Sequence, residues 1–189
     1  MQFKSIGKDV TIYPLAKIIC PEEISIGNSV IIDDFVFLYG KGGVTIGDFV
    51  HLASFTLITG GAGLILEDFV SISGGVEFYT KNEDYSGMWM CNPAMLEKYR
   101  GPISGGIHVE KHVIVGANSV ILPRVHIGEG VAIGANSLVI RNCEPWTIYA
   151  GTPARPIRER IRDRIPELEK QLRTEVYNQD GNYIPKDLR

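Results

Sequence analysis

The chain has 189 residues, 44% of them hydrophobic and 22% charged, and its 19 basic and 22 acidic side chains leave a net charge of −3. That balance is globular and carries no basic footprint for nucleic acid; no stretch approaches a membrane span, and the opening MQFKSIGKDV lacks a signal-peptide core. The cysteines Cys20, Cys91 and Cys143 are odd in number and lack metal-type pairing, so the expectation is reduced thiols in a cytoplasmic protein.

From the first residues onward, aliphatic side chains recur at a fixed stride. Ile6, Ile12 and Ile18 are followed by Ile26, Ile32 and Leu38, by Ile46, Leu52 and Ile58, and by Leu66, Ile72 and Phe78. The series resumes at Val109, Val115 and Ile121 and ends with Ile127, Ile133 and Val139. A hexapeptide period of this kind predicts an all-β solenoid, a parallel β-helix of about six coils. At the usual strand spacing it stands roughly 25–30 Å tall. From Ile18 to Ile26, Leu38 to Ile46 and Ile58 to Leu66 the step is eight, which places two extra residues at one corner of each early coil. After Phe78 that corner expands into a long segment, residues 79–106, carrying Tyr79, Tyr85, Trp89 and Tyr99. A functional arm, not a disordered loop, is expected there.

Past Ile148 the stride changes. Ile157, Ile161, Ile165, Leu168, Leu172 and Val176 form a stripe at helical spacing, kinked or restarted at Pro166. The predicted organisation is a β-helix over 1–150 and a helical tail over 151–189, whose stripe covers the open end of the prism or a neighbouring chain.

If the aliphatics point inward, the residue before each points outward. One face then shows Ile31, His51 and Ile114, and a second shows Phe37, Leu57 and Val120. Both are apolar enough to imply burial between subunits. The third face is more polar and stacks His108 on His126, two nitrogens without a third ligand, which favours a surface or interface pair over a metal site. His112 falls in a turn, and Arg160, Arg162 and Arg164 read as a solvated helix face. His51 lies on an outward wall, as an interface imidazole or a base.

The runs VIVGANSVILPRVHIGEGVAIGANSLVI and WTIYAGTPARPI resemble the closing segment of the left-handed β-helix acyltransferases of the hexapeptide-repeat superfamily. SIGNSVIIDDFVFLYG, GDFVHLASFTLITGG and NEDYSG are most similar to the N-acyltransferases acting on nucleotide-linked amino sugars, of the dTDP-4-amino-4,6-dideoxyhexose type. The resemblance implies left-handed coils, a homotrimer, acetyl-CoA or another short acyl-CoA in the groove between prisms, and a role in surface glycan biosynthesis. For coenzyme A it points to Gly116, Ala117, Gly134 and Ala135 in the small turns, and to Gly151 and Arg155 in AGTPAR. Arg141 and Arg158 lie nearby, as guanidinium groups suited to phosphate.

Sugar O-acetyltransferases of the superfamily carry a histidine in the segment corresponding to 79–106, and this chain has none before His108. A hydroxyl needs a general base, whereas the neutral fraction of a primary amine attacks a thioester unaided. The expected acceptor is therefore an amine oriented by Glu83 and Asp84, with sugar contacts from Tyr79, Asn82 and Tyr85 and from Asp33 or Asp34. The rival readings are an O-acetyltransferase using His51 as base, a γ-carbonic-anhydrase-like trimer needing three convergent histidines, and a non-catalytic scaffold.

Overall fold

The stride of six returns an inward aliphatic to the same wall once per turn, so each coil adds one short strand to each of three parallel sheets. In the computed structural model, which describes Met1–Arg189, the first sheet runs from Ser5–Ile6 through Ile24–Ile26, Val44–Ile46, Leu64–Leu66 and Ile107–Val109 to His126–Ile127. The second and third sheets stack in the same order, with register Ile32 on Leu52 and Leu38 on Ile58. The long corner does not disturb the stack. Leu66 pairs with Val109, Ile72 with Val115 and Phe78 with Ile121 as if the coils were contiguous. The result is a left-handed parallel β-helix.

Its core is a dry column of the stride residues, from Ile18 to Val139 nearly all fully buried. Valines at the turns, such as Val30, Val50 and Val70, fill the corners. Where the corner residue is polar the hydroxyl is satisfied: Ser119 and Ser137 both donate to the Gly134 carbonyl, at 3.0 and 2.6 Å.

Six full coils are followed by part of a seventh. Cys143 bridges to Ile127 and Thr147–Ala150 pairs in parallel with the second sheet, which puts Tyr149 on Ile133. The sequence hides this turn because the step from Val139 to Cys143 is four, and a thiol and a phenol stand where aliphatics stood before.

The tail departs from expectation over its first half. Ile157 lies not in a helix but in strand Arg155–Glu159, antiparallel to Thr147–Ala150. The helix, α1, spans Arg164–Val176 and takes Pro166 in its first turn, where no N–H is required. At the C-terminal end of the prism Ala154 packs against the core and strand Arg155–Glu159 extends the second sheet, and from there the tail turns away. It runs back along the edge between the first and second sheets. That edge holds one residue per coil at positive φ, among them Asp9, Phe49, Phe69, His112 and Trp146, and the rings of Phe49, Phe69 and His112 stack at 5.0–5.1 Å. The tail meets this ladder at each level: Glu169 on His112 at 2.6 Å, Arg173 on Asp68 at 2.7 Å, the Tyr177 hydroxyl on Asp48, and the Tyr183 hydroxyl on Asp9 at 2.8 Å. His112 is thus a buried anchor and not an ordinary turn residue. Arg160, expected in solvent, donates to the carbonyls of His112 and Gly130 at 2.9 and 2.8 Å, and burial lowers its pKa. No helix is long and apolar enough to cross a membrane.

Candidate active site

The edge between the second and third sheets is the one the tail leaves open, and the small turns stack there. Gly116 and Gly134 are required by coil stacking: their N–H groups donate to Ile133 and Tyr149 carbonyls, each at 2.8 Å, and a Cβ on Gly116 would lie 2.5 Å from the Ala135 nitrogen. The accessible donors are one residue further on. The N–H groups of Ala117 and Ala135 have no partner within the chain and sit one coil apart, a spacing of about 4.8 Å that an extended amide ligand can follow. Gly151 continues the edge beside the partial seventh coil, where the Leu138 N–H donates to its carbonyl at 3.0 Å. Arg141 and Arg155 line one cleft of about 210 Å³ at this end of the prism, with Tyr149 and Pro156. Arg158, opposite Ile148 in the antiparallel pair, does not line it.

Along the same edge toward the N-terminus, His51 on the second sheet places Nε2 3.0 Å from an Asp33 carboxylate oxygen, and both side chains are partly exposed. Asp34 has a different task, accepting the Leu15 N–H at 2.8 Å to brace the turn of the preceding coil. The four histidines occupy three separate places. His108 and His126 stack on the first sheet at 5.1 Å, each held by its own glutamate, Glu67 at 2.7 Å and Glu110 at 2.8 Å, and His112 lies under the tail. They do not converge, so the three-histidine arrangement of a carbonic anhydrase is not assembled within the chain.

The arm leaves the opposite edge of the third sheet. Phe78 is fully buried at its root, and the antiparallel pair Lys81–Asn82 and Ile103–Ser104 forms its base. Beyond the base, Arg100 reaches across to both carboxylate oxygens of Glu83. Asp84 accepts the Ser86 hydroxyl at 2.7 Å and the N–H groups of Gly87 and Trp89 at 2.9 and 3.3 Å. The Arg100 hydrogen bond holds the Glu83 carboxyl below the usual carboxylate range, and the Ser86 hydroxyl does the same for Asp84. Both are anions that shape the arm, Glu83 through one guanidinium and Asp84 through three donors. Tyr85 is almost wholly exposed and Asn82 lies in the base. Tyr79 ends the strand Glu77–Tyr79, and its hydroxyl donates to Glu77 at 2.8 Å.

Glu77 escapes a reading built on the stride, because it occupies an outward position filled by Lys17 in the first coil and by Phe37, Leu57, Val120 and Leu138 in the others. The signal was one acid between apolar neighbours, Leu57 and Val120. Within one chain no hydrogen bond or ion pair joins the arm to His51 or Asp33, which lie across the width of the third sheet from it.

Residues 106–141 match the family described as Bacterial transferase hexapeptide (six repeats). The chain is 44% identical over 170 residues to dTDP-4-amino-4,6-dideoxy-D-glucose acyltransferase of Escherichia coli, covering 89% of this chain and 88% of that one. It is 42% identical to AntD, an N-acyltransferase from Bacillus cereus. The AntD complex with dTDP and 3-hydroxybutyryl-CoA superposes with a TM-score of 0.87 over 92% of this chain and 91% of that one. A serine variant of AntD in complex with dTDP-4-amino-4,6-dideoxyglucose and coenzyme A gives 0.88 over the same shares. A hexapeptide-repeat acetyltransferase of Vibrio cholerae O1 biovar eltor, complexed with acetyl coenzyme A, is 24% identical with a TM-score of 0.62 over 85% of this chain and 73% of that one, a likeness of fold alone.

Proposed function

The chain belongs to the hexapeptide-repeat acyltransferases that include those Escherichia coli and Bacillus cereus enzymes, and we propose that it transfers a short acyl group, acetyl in the first instance, from acyl-CoA to the amino group of a dTDP-linked 4-amino-4,6-dideoxyhexose. It acts as a homotrimer in the cytoplasm and supplies surface glycan synthesis. The observation that carries the acceptor class is the 44% identity over 89% of the chain to an acyltransferase of that sugar nucleotide. The arm is consistent with it, since its anions Glu83 and Asp84 come without any imidazole.

Coenzyme A lies along the open edge between the second and third sheets. Its adenosine phosphates meet Arg141 and Arg155, with Arg158 beside them, and its pantetheine amides meet the free N–H groups of Ala117 and Ala135. The sugar is held by the arm, through Tyr79, Asn82 and Tyr85, on a turn that the Glu83–Arg100 pair and Asp84 keep in place. In the trimer the arm of one copy faces the His51–Asp33 wall of the next, which within one chain lies on the opposite side of the third sheet. An unhindered amine with a pKa near that of an α-amino group, about 8, is partly neutral at cytoplasmic pH, so positioning suffices.

Turnover with acetyl-CoA is tested on a panel of dTDP- and UDP-linked amino sugars by thiol release. Release with a dTDP-4-amino sugar supports the proposal, and release only with plain glycosides refutes it. His51→Ala is expected to retain kcat within about threefold on the amine. A hydroxyl-acylating enzyme that relied on this base would lose about 10²-fold or more, measured by the same thiol release.

A further inference from the structure

Resting on the acceptor class just proposed, we infer that Glu77 is the carboxylate that receives the acceptor's ammonium group and delivers it to the thioester. Its contacts leave it little other use. It stands in coil four on the outward side of the third sheet, between Leu57 and Val120 in neighbouring coils. No lysine or arginine lies within ion-pair distance of it, although every other acid discussed at the site is engaged: Glu83 by Arg100, Asp84 by three donors, Asp33 by His51 and Asp34 by a backbone N–H. Only one of its oxygens is occupied, by the Tyr79 hydroxyl. Burial, and then this hydrogen bond to Glu77, push the Tyr79 phenol up to about 12, so it remains a donor that aims the carboxylate. The titratable groups near the pair are Tyr79 on its own strand and Tyr85 from the arm; the strands on either side present Leu57 and Val120.

The position suits the path of the reaction. Glu77 follows the Gly74–Gly75 turn, the member of the open edge one coil before Gly116–Ser119, and Asn118 N–H reaches the Gly74 carbonyl at 3.0 Å. It is also five residues before Asn82 at the base of the arm. A pantetheine arm running along Ala135 and Ala117 therefore points its thioester at this coil, while the arm presents the sugar from the other side. Glu77 keeps one carboxylate oxygen free between apolar neighbours, and an ammonium is the group that complements it. In the step itself, the ammonium hydrogen-bonds to Glu77 and loses one proton to water through it. The neutral nitrogen then bonds to the thioester carbon, the C–S bond breaks, and the departing sulfur takes the nitrogen's surplus proton to give the amide and free coenzyme A.

Glu77→Gln keeps the acceptor oxygen for Tyr79 and removes only the charge. The expected result is a fall in kcat/KM for the amino sugar of roughly tenfold to a hundredfold at pH 7, carried by a raised KM for the sugar with the KM for acetyl-CoA and the thermal midpoint unchanged. The deficit should shrink as pH rises through the acceptor's pKa, because a neutral amine gains less from a carboxylate, and Glu77→Asp should recover part of the loss. A variant within twofold of the parent enzyme, or a loss that ignores pH and falls equally on both substrates, overturns the inference. A parent enzyme inactive on every amino sugar overturns the proposed function together with it.

Discussion

Replacing residues 83–102 by a short turn joining Asn82 to Ile103 is expected to cut kcat/KM for the acceptor by about 10³-fold or more while acyl-CoA binding persists. The separation follows from how the arm is attached. Registers across it, Leu66 on Val109 and Phe78 on Ile121, are those of adjacent coils, so the solenoid closes beneath the arm without help from it. The arm contributes nothing to the core, and its Tyr85, Met88 and Trp89 are exposed. What it does contribute is an internally braced platform, built on the Glu83–Arg100 pair and the turn folded around Asp84. Its loss removes the means of holding the sugar in line with the thioester, the effect on which an unassisted amine depends most. Thermal unfolding, calorimetric titration with acetyl-CoA and steady-state rates check the prediction. A variant with a rate within tenfold of the parent would place sugar binding elsewhere.

The second large effect is on stability. Ending the chain after Asp163 removes α1 and everything beyond it, uncovering Phe49, Phe69 and His112 along the edge between the first and second sheets. The buried share of that docking, Glu169 on His112 with Arg173 and the aromatic packing, is worth about 3 kcal/mol, a drop in thermal midpoint of roughly 5–10 °C for a chain of this size. The same docking should be acid-sensitive. Burial alone would raise the Glu169 carboxyl, but its hydrogen bonds to Arg173 and His112 hold it below the ordinary value. A carboxyl depressed in the folded state stabilises above its unfolded pKa, and that contribution is lost as pH falls through the lower folded value. Thermal midpoints recorded from pH 7 downward should therefore converge for full-length and shortened chains in the acid range. Parallel curves would mean that the tail is held by apolar contact alone.

The solenoid was legible because its physics is periodic. An inward aliphatic every six residues can be satisfied only by stacking, and the step of eight marks the growing corner in the sequence itself. The partial seventh coil was hidden by a shortened step and by Cys143 and Tyr149 in aliphatic places. The tail misled for a different reason: Ile157 and Ile161 continue a helical spacing, but Arg155–Glu159 finds an open sheet edge at Thr147–Ala150, and pairing with it outweighs the local pattern. His112 and Arg160 could not be placed from sequence, because their partners, Glu169 and the Gly130 carbonyl, are 57 and 30 residues away. Around the site, the small turns and the arm were recognisable by composition, whereas the distinction between the stacking glycines and the free N–H groups of Ala117 and Ala135 exists only in the folded ladder. Glu77 is an intermediate case, visible as an acid between apolar neighbours once the faces are sorted, yet without meaning until the coils place it between the arm and the open edge.

The most direct measurement compares two acceptors that differ at one atom, dTDP-4-amino-4,6-dideoxyglucose and its 4-hydroxy counterpart, each offered with acetyl-CoA and followed by release of coenzyme A. An enzyme that positions an intrinsically nucleophilic nitrogen is expected to favour the amine by about 10³-fold or more. Comparable rates on the two, abolished together by His51→Ala, would contradict it.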